Sequence, residues 1–305
     1  MRIRICSNPN RPWLLLVIGA VFSGCHPGNE EARRLRGACE TGDAAACNTF
    51  GQKLLTGEYV LRDDGDAAVK FTKACDGGVG EGCARVGVLY QTGRGVTRDS
   101  ARAFALFRQA CDGGAMAGCT RLGLLYRQGA GVTQDLARAA ALFEQACTGG
   151  DLTGCAQLGT LYAAGEGLSQ DVARAAGLFQ RACDGKVATG CLGLGRLHAA
   201  GTGVAQNDSL ATKLFEQACN AREPAGCFHL GNQYETGKGI AADFGRAAQL
   251  YREACEDRHG EACYRLAGMY EKGAGVWRQP ERAAQMTRRA CEYGYAEACP
   301  KPKGS

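Results

Sequence analysis

The sequence predicts an all-α fold in which helix pairs stack one after another and no single globular core exists. Three observations predict it. Sixteen of the 18 cysteines fall into eight C-x7-C pairs that recur every 36 residues without insertion or deletion: Cys39 with Cys47, Cys75 with Cys83, Cys111 with Cys119, Cys147 with Cys155, Cys183 with Cys191, Cys219 with Cys227, Cys255 with Cys263 and Cys291 with Cys299. One position is glycine in all seven complete units (Gly57, Gly93, Gly129, Gly165, Gly201, Gly237, Gly273), and a second is glycine in six (Gly51, Gly87, Gly123, Gly159, Gly195, Gly231) with Ala267 in the last. Between the cysteines the apolar residues follow helical spacing. A fixed period of this size marks a repeat array in which each unit covers the apolar face of its neighbour.

The chain opens on what reads as an export signal. Arg2, Arg4 and Arg11 form a basic start, and Trp13 to Phe22 is an apolar run of ten. That run is shorter than the roughly 20 residues a membrane span needs. The segment Phe22-Ser23-Gly24-Cys25 resembles a bacterial lipobox, which implies lipid attachment at Cys25 after cleavage in front of it; ordinary secretion with Cys25 as a spare thiol is the alternative. Residues 1–24 are read as the signal peptide, 25–38 as a short segment leading into a capping half-repeat, 39–299 as the repeat array and 300–305 as a tail opened by Pro300. Residues 1–24 carry three of the 36 basic residues and none of the 31 acids, which leaves a formal +2. That balance gives no electrostatic case for nucleic acid or an acidic membrane surface. Membrane contact is expected through the N-terminal lipid alone, in the outer membrane or periplasm. Evenly spaced cysteines behind an export signal read as a disulfide framework in an oxidising compartment.

Residues 83–118 show what one unit is. Val86, Leu89 and Tyr90 predict a first helix (helix A) ended near Gly93, where a residue without Cβ permits the left-handed conformation. Asp99 suits an N-cap, and Ala103, Leu106, Phe107 and Ala110 give the apolar face of a second helix (helix B) that runs to Cys111. Gly113 and Gly114 turn the chain into the next unit. Mid-helix glycine costs about 1 kcal/mol relative to alanine. Its recurrence at Gly87 therefore predicts close helix contact there, with the helix B alanines (Ala67, Ala103, Ala139, Ala175, Ala211, Ala247, Ala283) as the expected partners.

The pattern L-G-x-x-Y-x-x-G-x-G-V-x-x-D, followed by A and L-F/Y and closed by A-C, resembles the Sel-one-like repeat (SLR), a relative of the tetratricopeptide repeat, in its cysteine-rich secreted form. The resemblance covers residues 39–299 and implies a right-handed α/α solenoid of seven helix pairs. Departures sit at the ends, with Leu54 and Tyr59 in the first unit and Ala267, Gln279 and Thr287 in the last; capping units of such arrays are expected to be atypical. His198 replaces tyrosine in the fifth unit and reads as a packing substitution.

Each cysteine pair is expected to join the end of one helix B to the start of the next helix A. Metal sites fail on number, because each pair offers two thiolates, tetrahedral zinc takes four ligands, and four histidines cannot complete eight sites. No cofactor is expected. There is no S-x-x-K, G-x-S-x-G, H-E-x-x-H or Walker loop, and the loop glycines read as helix punctuation, not a phosphate cradle. The resemblance supplies one enzymatic alternative, since some cysteine-rich relatives are described as penicillin-binding proteins with weak β-lactamase activity. Arg102, Arg138, Arg174, Arg246 and Arg282 form a basic stripe on helix B, and the aspartates three residues before four of them predict a self-neutralised face. Trp277 reads as either a packed cap or a partner contact.

The function expected of such a chain is a non-enzymatic adaptor that binds a protein or peptide; a structural envelope spacer is the other non-enzymatic reading. The resemblance implies that helix A lines the concave surface. Its positions outside the core are Thr49, Gln52, Arg85, Val88, Arg121, Leu124, Gln128, Gln157, Thr160, Arg196, His229, Asn232, Arg265 and Lys272. This polar set with scattered arginines suits an extended peptide carrying carboxylates.

Overall fold

The computed structural model describes residues 27–300; the leader, Cys25 and the last five residues lie outside the described residues. Among the described residues there are fifteen α-helices and one short 3-10 turn: α1 (Pro27–Glu40), α2 (Ala44–Thr56), α3 (Asp64–Asp76), α4 (Gly80–Thr92), α5 (Ser100–Asp112), α6 (Met116–Gln128), α7 (Leu136–Thr148), α8 (Leu152–Ala164), α9 (Val172–Asp184), α10 (Ala188–Ala200), α11 (Asp208–Asn220), α12 (Pro224–Thr236), α13 (Phe244–Glu256), α14 (Gly260–Lys272), α15 (Pro280–Glu292) and η1 (Ala296–Ala298). Even-numbered helices are helix A and odd-numbered ones helix B, so α1 is the half-repeat that precedes seven complete pairs. No helix among the described residues is long and apolar enough to cross a membrane.

Two compact units, Met1–Leu122 and Gly123–Ser305, divide the chain within α6. In the first, α1 to α5 each pack on the next helix in the chain. Phe50, Leu54, Phe71, Val86 and Leu89 form its main apolar cluster. In the second unit α7 to α15 repeat that neighbour-on-neighbour packing. The core there is a series of local clusters, such as Phe179, Leu194, Leu197 and Leu214, followed by Tyr251, Leu266, Met269 and Met286.

The local signals act as sequence chemistry requires. Helix A ends on a glycine at φ between 65° and 75° in every pair. Asp63, Asp99, Asp135, Asp171, Asn207 and Asp243 cap helix B by accepting from the backbone N–H three residues on. The B-to-A turn needs a left-handed residue; Gly42, Gly78, Gly114, Gly150 and Gly294 provide it, and Lys186, Arg222 and Arg258 adopt it at φ 61–68° without glycine's freedom.

A disulfide crosses each such turn. The bonds join Cys39 to Cys47, Cys75 to Cys83, Cys111 to Cys119, Cys147 to Cys155, Cys183 to Cys191, Cys219 to Cys227, Cys255 to Cys263 and Cys291 to Cys299, with Cα–Cα distances of 4.4–4.8 Å. Each of the first seven bonds joins the end of helix B to the first turn of the next helix A. Cys47, Cys83, Cys119, Cys155, Cys191, Cys227 and Cys263 are each the fourth residue of their helix, a full turn in, and all are buried. They reach into the core because the fourth position faces the preceding helix B, whose own cysteine is its next-to-last residue.

Two expectations are corrected. The recurrent helix A glycine faces the helix B aromatic most closely, with the helix B alanine reached only through its carbonyl, as Ala175 is at 3.4 Å from a Cβ added at Gly159 and Ala247 at 3.4 Å from one at Gly231. A Cβ added at Gly87 would lie 2.7 Å from the Phe107 ring, and the same holds at 2.6–2.9 Å for Gly51 on Phe71, Gly123 on Phe143, Gly159 on Phe179, Gly195 on Phe215 and Gly231 on Tyr251. The physical reason is volume: a ring lies flat on the helix backbone where a side chain is missing, so the largest residue of each pair sits on the smallest.

The aspartates before the basic stripe do not neutralise it by ion pairing. Their carboxylates accept from backbone N–H groups, as Asp99 does from Arg102 at 2.9 Å. Three of the guanidinium groups lie close over the helix A tyrosine, Arg102 on Tyr90 at 4.4 Å, Arg138 on Tyr126 at 4.8 Å and Arg174 on Tyr162 at 4.5 Å, Arg174 also pairing with Glu144 at 3.0 Å, while Arg246 donates to Gln249 at 2.9 Å. Where the tyrosine is absent, at Leu54 and His198, the arginine is absent too, replaced by Asp66 and Leu210. Trp277 is 87% exposed, so it is not a packed cap.

Candidate ligand surface on helix A

The helix A positions expected to carry a ligand are partly consumed by contacts within the chain. In the first unit, Arg85 donates through Nη1 to Oε1 of Gln52 and lies 5.7 Å from the Phe71 ring centre. Thr49 bonds back to the Ala45 carbonyl at 3.1 Å. Val88 is half-buried and Arg121 exposed. In the second unit, Leu124 is half-buried and Gln128 exposed. Gln157 accepts from Arg127 at 3.1 Å, and Thr160 bonds back to the Ala156 carbonyl at 3.0 Å.

Three of the expected residues come together. Arg196 of α10 and His229 and Asn232 of α12 line one cleft of about 290 Å³ in the second unit. Phe215 forms part of its wall, and Asp208, Gln233 and Lys238 complete the polar lining. Lys238 and Asp208 were not legible as site residues, because they stand in a loop and at a helix start, where side chains vary from unit to unit. The cleft lies where the repeat is least regular. His229 stacks on Phe215 with ring centres 5.0 Å apart and meets Phe228 edge-on at 5.2 Å. Phe228 in turn stacks on His259 at 4.7 Å. Burial, with smaller contributions from Arg196 and His259, lowers the His229 pKa to about 4, so the ring is neutral at pH 7. Positive charge in the cleft therefore comes from Arg196 and Lys238, while the imidazole and the Asn232 amide offer hydrogen bonds.

Arg265 and Lys272 line a second cleft along α14, in company with Glu235, Glu261 and Glu271. Arg265 stands 3.8 Å from Glu235, whose carboxylate also accepts from the Tyr251 hydroxyl at 2.6 Å. Burial first, and that hydrogen bond second, push the Tyr251 hydroxyl pKa up. Arg265 thus has a carboxylate partner of its own. Among the described residues one group has metal-donor spacing, Cys219, Cys227 and Glu253, and its two sulfurs are bonded to each other.

The geometry defines a class: an all-α repeat protein of helix pairs, stapled at each B-to-A turn by a disulfide. Residues 80–114, 117–151, 153–187, 188–222, 224–259 and 260–295 each match the Sel1 repeat, and the chain belongs to the Sel1 repeat family. Among solved structures it is similar to c5321, a protective antigen present in uropathogenic Escherichia coli strains displaying an SLR fold, at 25% identity and a TM-score of 0.64. That match covers 88% of this chain and 57% of the other, so the chain spans little more than half the length of that relative. A Sel1 repeat protein from Oxalobacter formigenes is 19% identical, with a TM-score of 0.68 over 85% of this chain and 98% of the other. No curated protein matches the chain.

Proposed function

We propose that this chain is an exported Sel1-repeat adaptor that holds an acidic, extended segment of a partner protein against helix A. One observation carries the reading: Arg196, His229 and Asn232, chosen from the sequence as surface positions of two different helices, share one cleft with Lys238. Two cations against the single carboxylate of Asp208 leave the cleft net positive, which together with its neutral hydrogen-bonding groups suits a carboxylate, and the arginine fork suits it in two-point fashion. The stacked Phe215 and His229 rings make the wall rigid. Eight disulfides support an oxidising, exported location.

The test is fluorescence anisotropy with a labelled hexapeptide ending in two glutamates and a free carboxylate, titrated into the oxidised protein at low salt. Binding should weaken at least tenfold in the Arg196→Ala, Lys238→Ala double variant and remain unchanged in Arg102→Ala. Absence of binding at about 1 mM protein, equivalent to less than about 4 kcal/mol, would rule the reading out. The boundaries at residues 24 and 38 and lipid attachment at Cys25 belong to the same proposal. They predict palmitate label in the intact chain and none after Cys25→Ser; equal label in both chains contradicts them.

A further inference from the structure

The last helix pair is hollow. In the six pairs before it, a ring (Phe71, Phe107, Phe143, Phe179, Phe215 or Tyr251) fills the space against helix A. In α14–α15 that position is Thr287. A second side chain is missing on the facing helix α14, because Gly268 stands where the earlier pairs have Gln52, Val88, Leu124, Thr160, Arg196 and Asn232. A Cβ added at Gly268 meets no atom within 4 Å. The result is a cleft of about 510 Å³ that includes Ala267, Gly268 and Thr287 in its lining. That size falls in the range of about 300–1,000 Å³ typical of ligand sites.

The lining is aromatic and net acidic, with Glu235, Glu261, Glu271 and Glu297 against Arg265 and Lys272. Tyr264 is 39% exposed, and its ring lies 5.1 Å from that of Tyr295, whose hydroxyl is fixed by Glu297 at 2.7 Å. Glu261 and Glu271 also line the cleft, and neither forms an ion pair among the described residues. Arg265, the cation nearest the middle of α14, is held by Glu235. The cleft at Arg196 thus suits an acid, whereas this one suits an apolar side chain that replaces the missing ring, followed by a cation that meets carboxylates and a tyrosine face.

We propose that the cleft of α14–α15 is an anchor site for an aromatic–basic dipeptide in the partner protein, with the aromatic ring over Thr287 and Gly268 and the cation between Glu261 and Tyr264. The proposal rests on the adaptor reading and extends it by fixing the partner's chemistry at this end of the second unit.

The test uses fluorescein-labelled Gly-Gly-Phe-Lys-Gly-Gly amide and two controls, one with alanine for phenylalanine and one with glutamate for lysine, titrated into the oxidised full chain. The Phe-Lys probe should bind at least tenfold more tightly than either control. The Ala267→Gly, Thr287→Phe double variant restores the pairing used in the other six pairs and should keep the wild-type melting temperature while losing the probe at least tenfold. Glu261→Gln should weaken the Phe-Lys probe and leave the glutamate control unchanged. Equal binding of all three probes, or full binding in the filled variant, overturns the proposal. Binding of the acidic hexapeptide at Arg196 with no binding of the Phe-Lys probe overturns this site alone and leaves the adaptor reading standing. A concentration-dependent dimer lost in Trp277→Ala, with the Phe-Lys probe unable to compete, would give the cleft to a second copy and would also overturn it.

Discussion

His229 shows how one side chain can couple the candidate surface to stability. Its pKa, lowered to about 4 by burial with help from Arg196, compares with 6.5 for an ordinary histidine. Between those values the unfolded chain binds a proton that the folded chain does not, so stability falls as pH drops from about 6.5 to about 4 and is level above and below that window. The full effect is roughly 3–4 kcal/mol at the conversion of about 1.4 kcal/mol per pH unit. Urea unfolding at pH 7 and near pH 4.5 should therefore show a larger loss for the wild type than for His229→Gln, and equal losses would contradict it. Other residues at this scale were legible only in part. That Asp99 caps a helix could be read from its type and place; that the Arg102 guanidinium faces Tyr90 could not, because an aspartate three residues away looks like the nearer partner.

At the scale of elements, the contact between helices A and B rests on a ring laid on a glycine. Gly87→Ala would gain about 1 kcal/mol of helix propensity. It would also force a Cβ to 2.7 Å from the Phe107 ring, an overpacking that costs roughly 1–3 kcal/mol. The net change should be a loss of stability in chemical denaturation. In a Phe107→Leu background the same alanine should be neutral or favourable, since the ring that opposes it is gone; a loss of the same size in both backgrounds would refute the contact as its cause. The cysteine period and glycine caps made the helix pairs legible in sequence. The glycine itself announced a close approach, but alanine and phenylalanine lie on the same face of helix B and periodicity cannot choose between them. Clefts were harder still, since a cavity is made by absent atoms. Even so, Thr287 and Ala267 were visible as departures from the repeat, and it took three dimensions to show that the space between them is open.

At the scale of the whole molecule, stability is distributed along the chain, because each pair draws on its neighbours and not on one shared core. Each disulfide closes a loop of about nine residues and should contribute roughly 2.5 kcal/mol in the chain-entropy account. These staples matter in a chain with only 7% aromatic residues. Reduction should strongly lower the melting temperature, and replacing Cys183 and Cys191 together by alanine should lower it by less than full reduction does. An unchanged melting curve after thiol exposure has been verified would show that packing alone holds the array. The first pair adds a constraint on how such a chain can grow. In interior pairs the second loop glycine rests on the backbone at the start of the preceding helix B, as Gly95 does at Asp64 and Gly239 at Asp208. At the N-terminal edge the glycine has changed sides: Gly28 occupies the place of Asp64 one period earlier, and the Tyr59 ring, at φ 61°, covers it. A unit spliced in directly ahead of α2 would set a residue with a side chain beneath that ring, whereas a unit duplicated from the interior would bring a glycine to meet backbone. Lengthening the array at its leading edge therefore requires a glycine at the position of Gly28 in the added unit, a requirement that duplication from within does not impose.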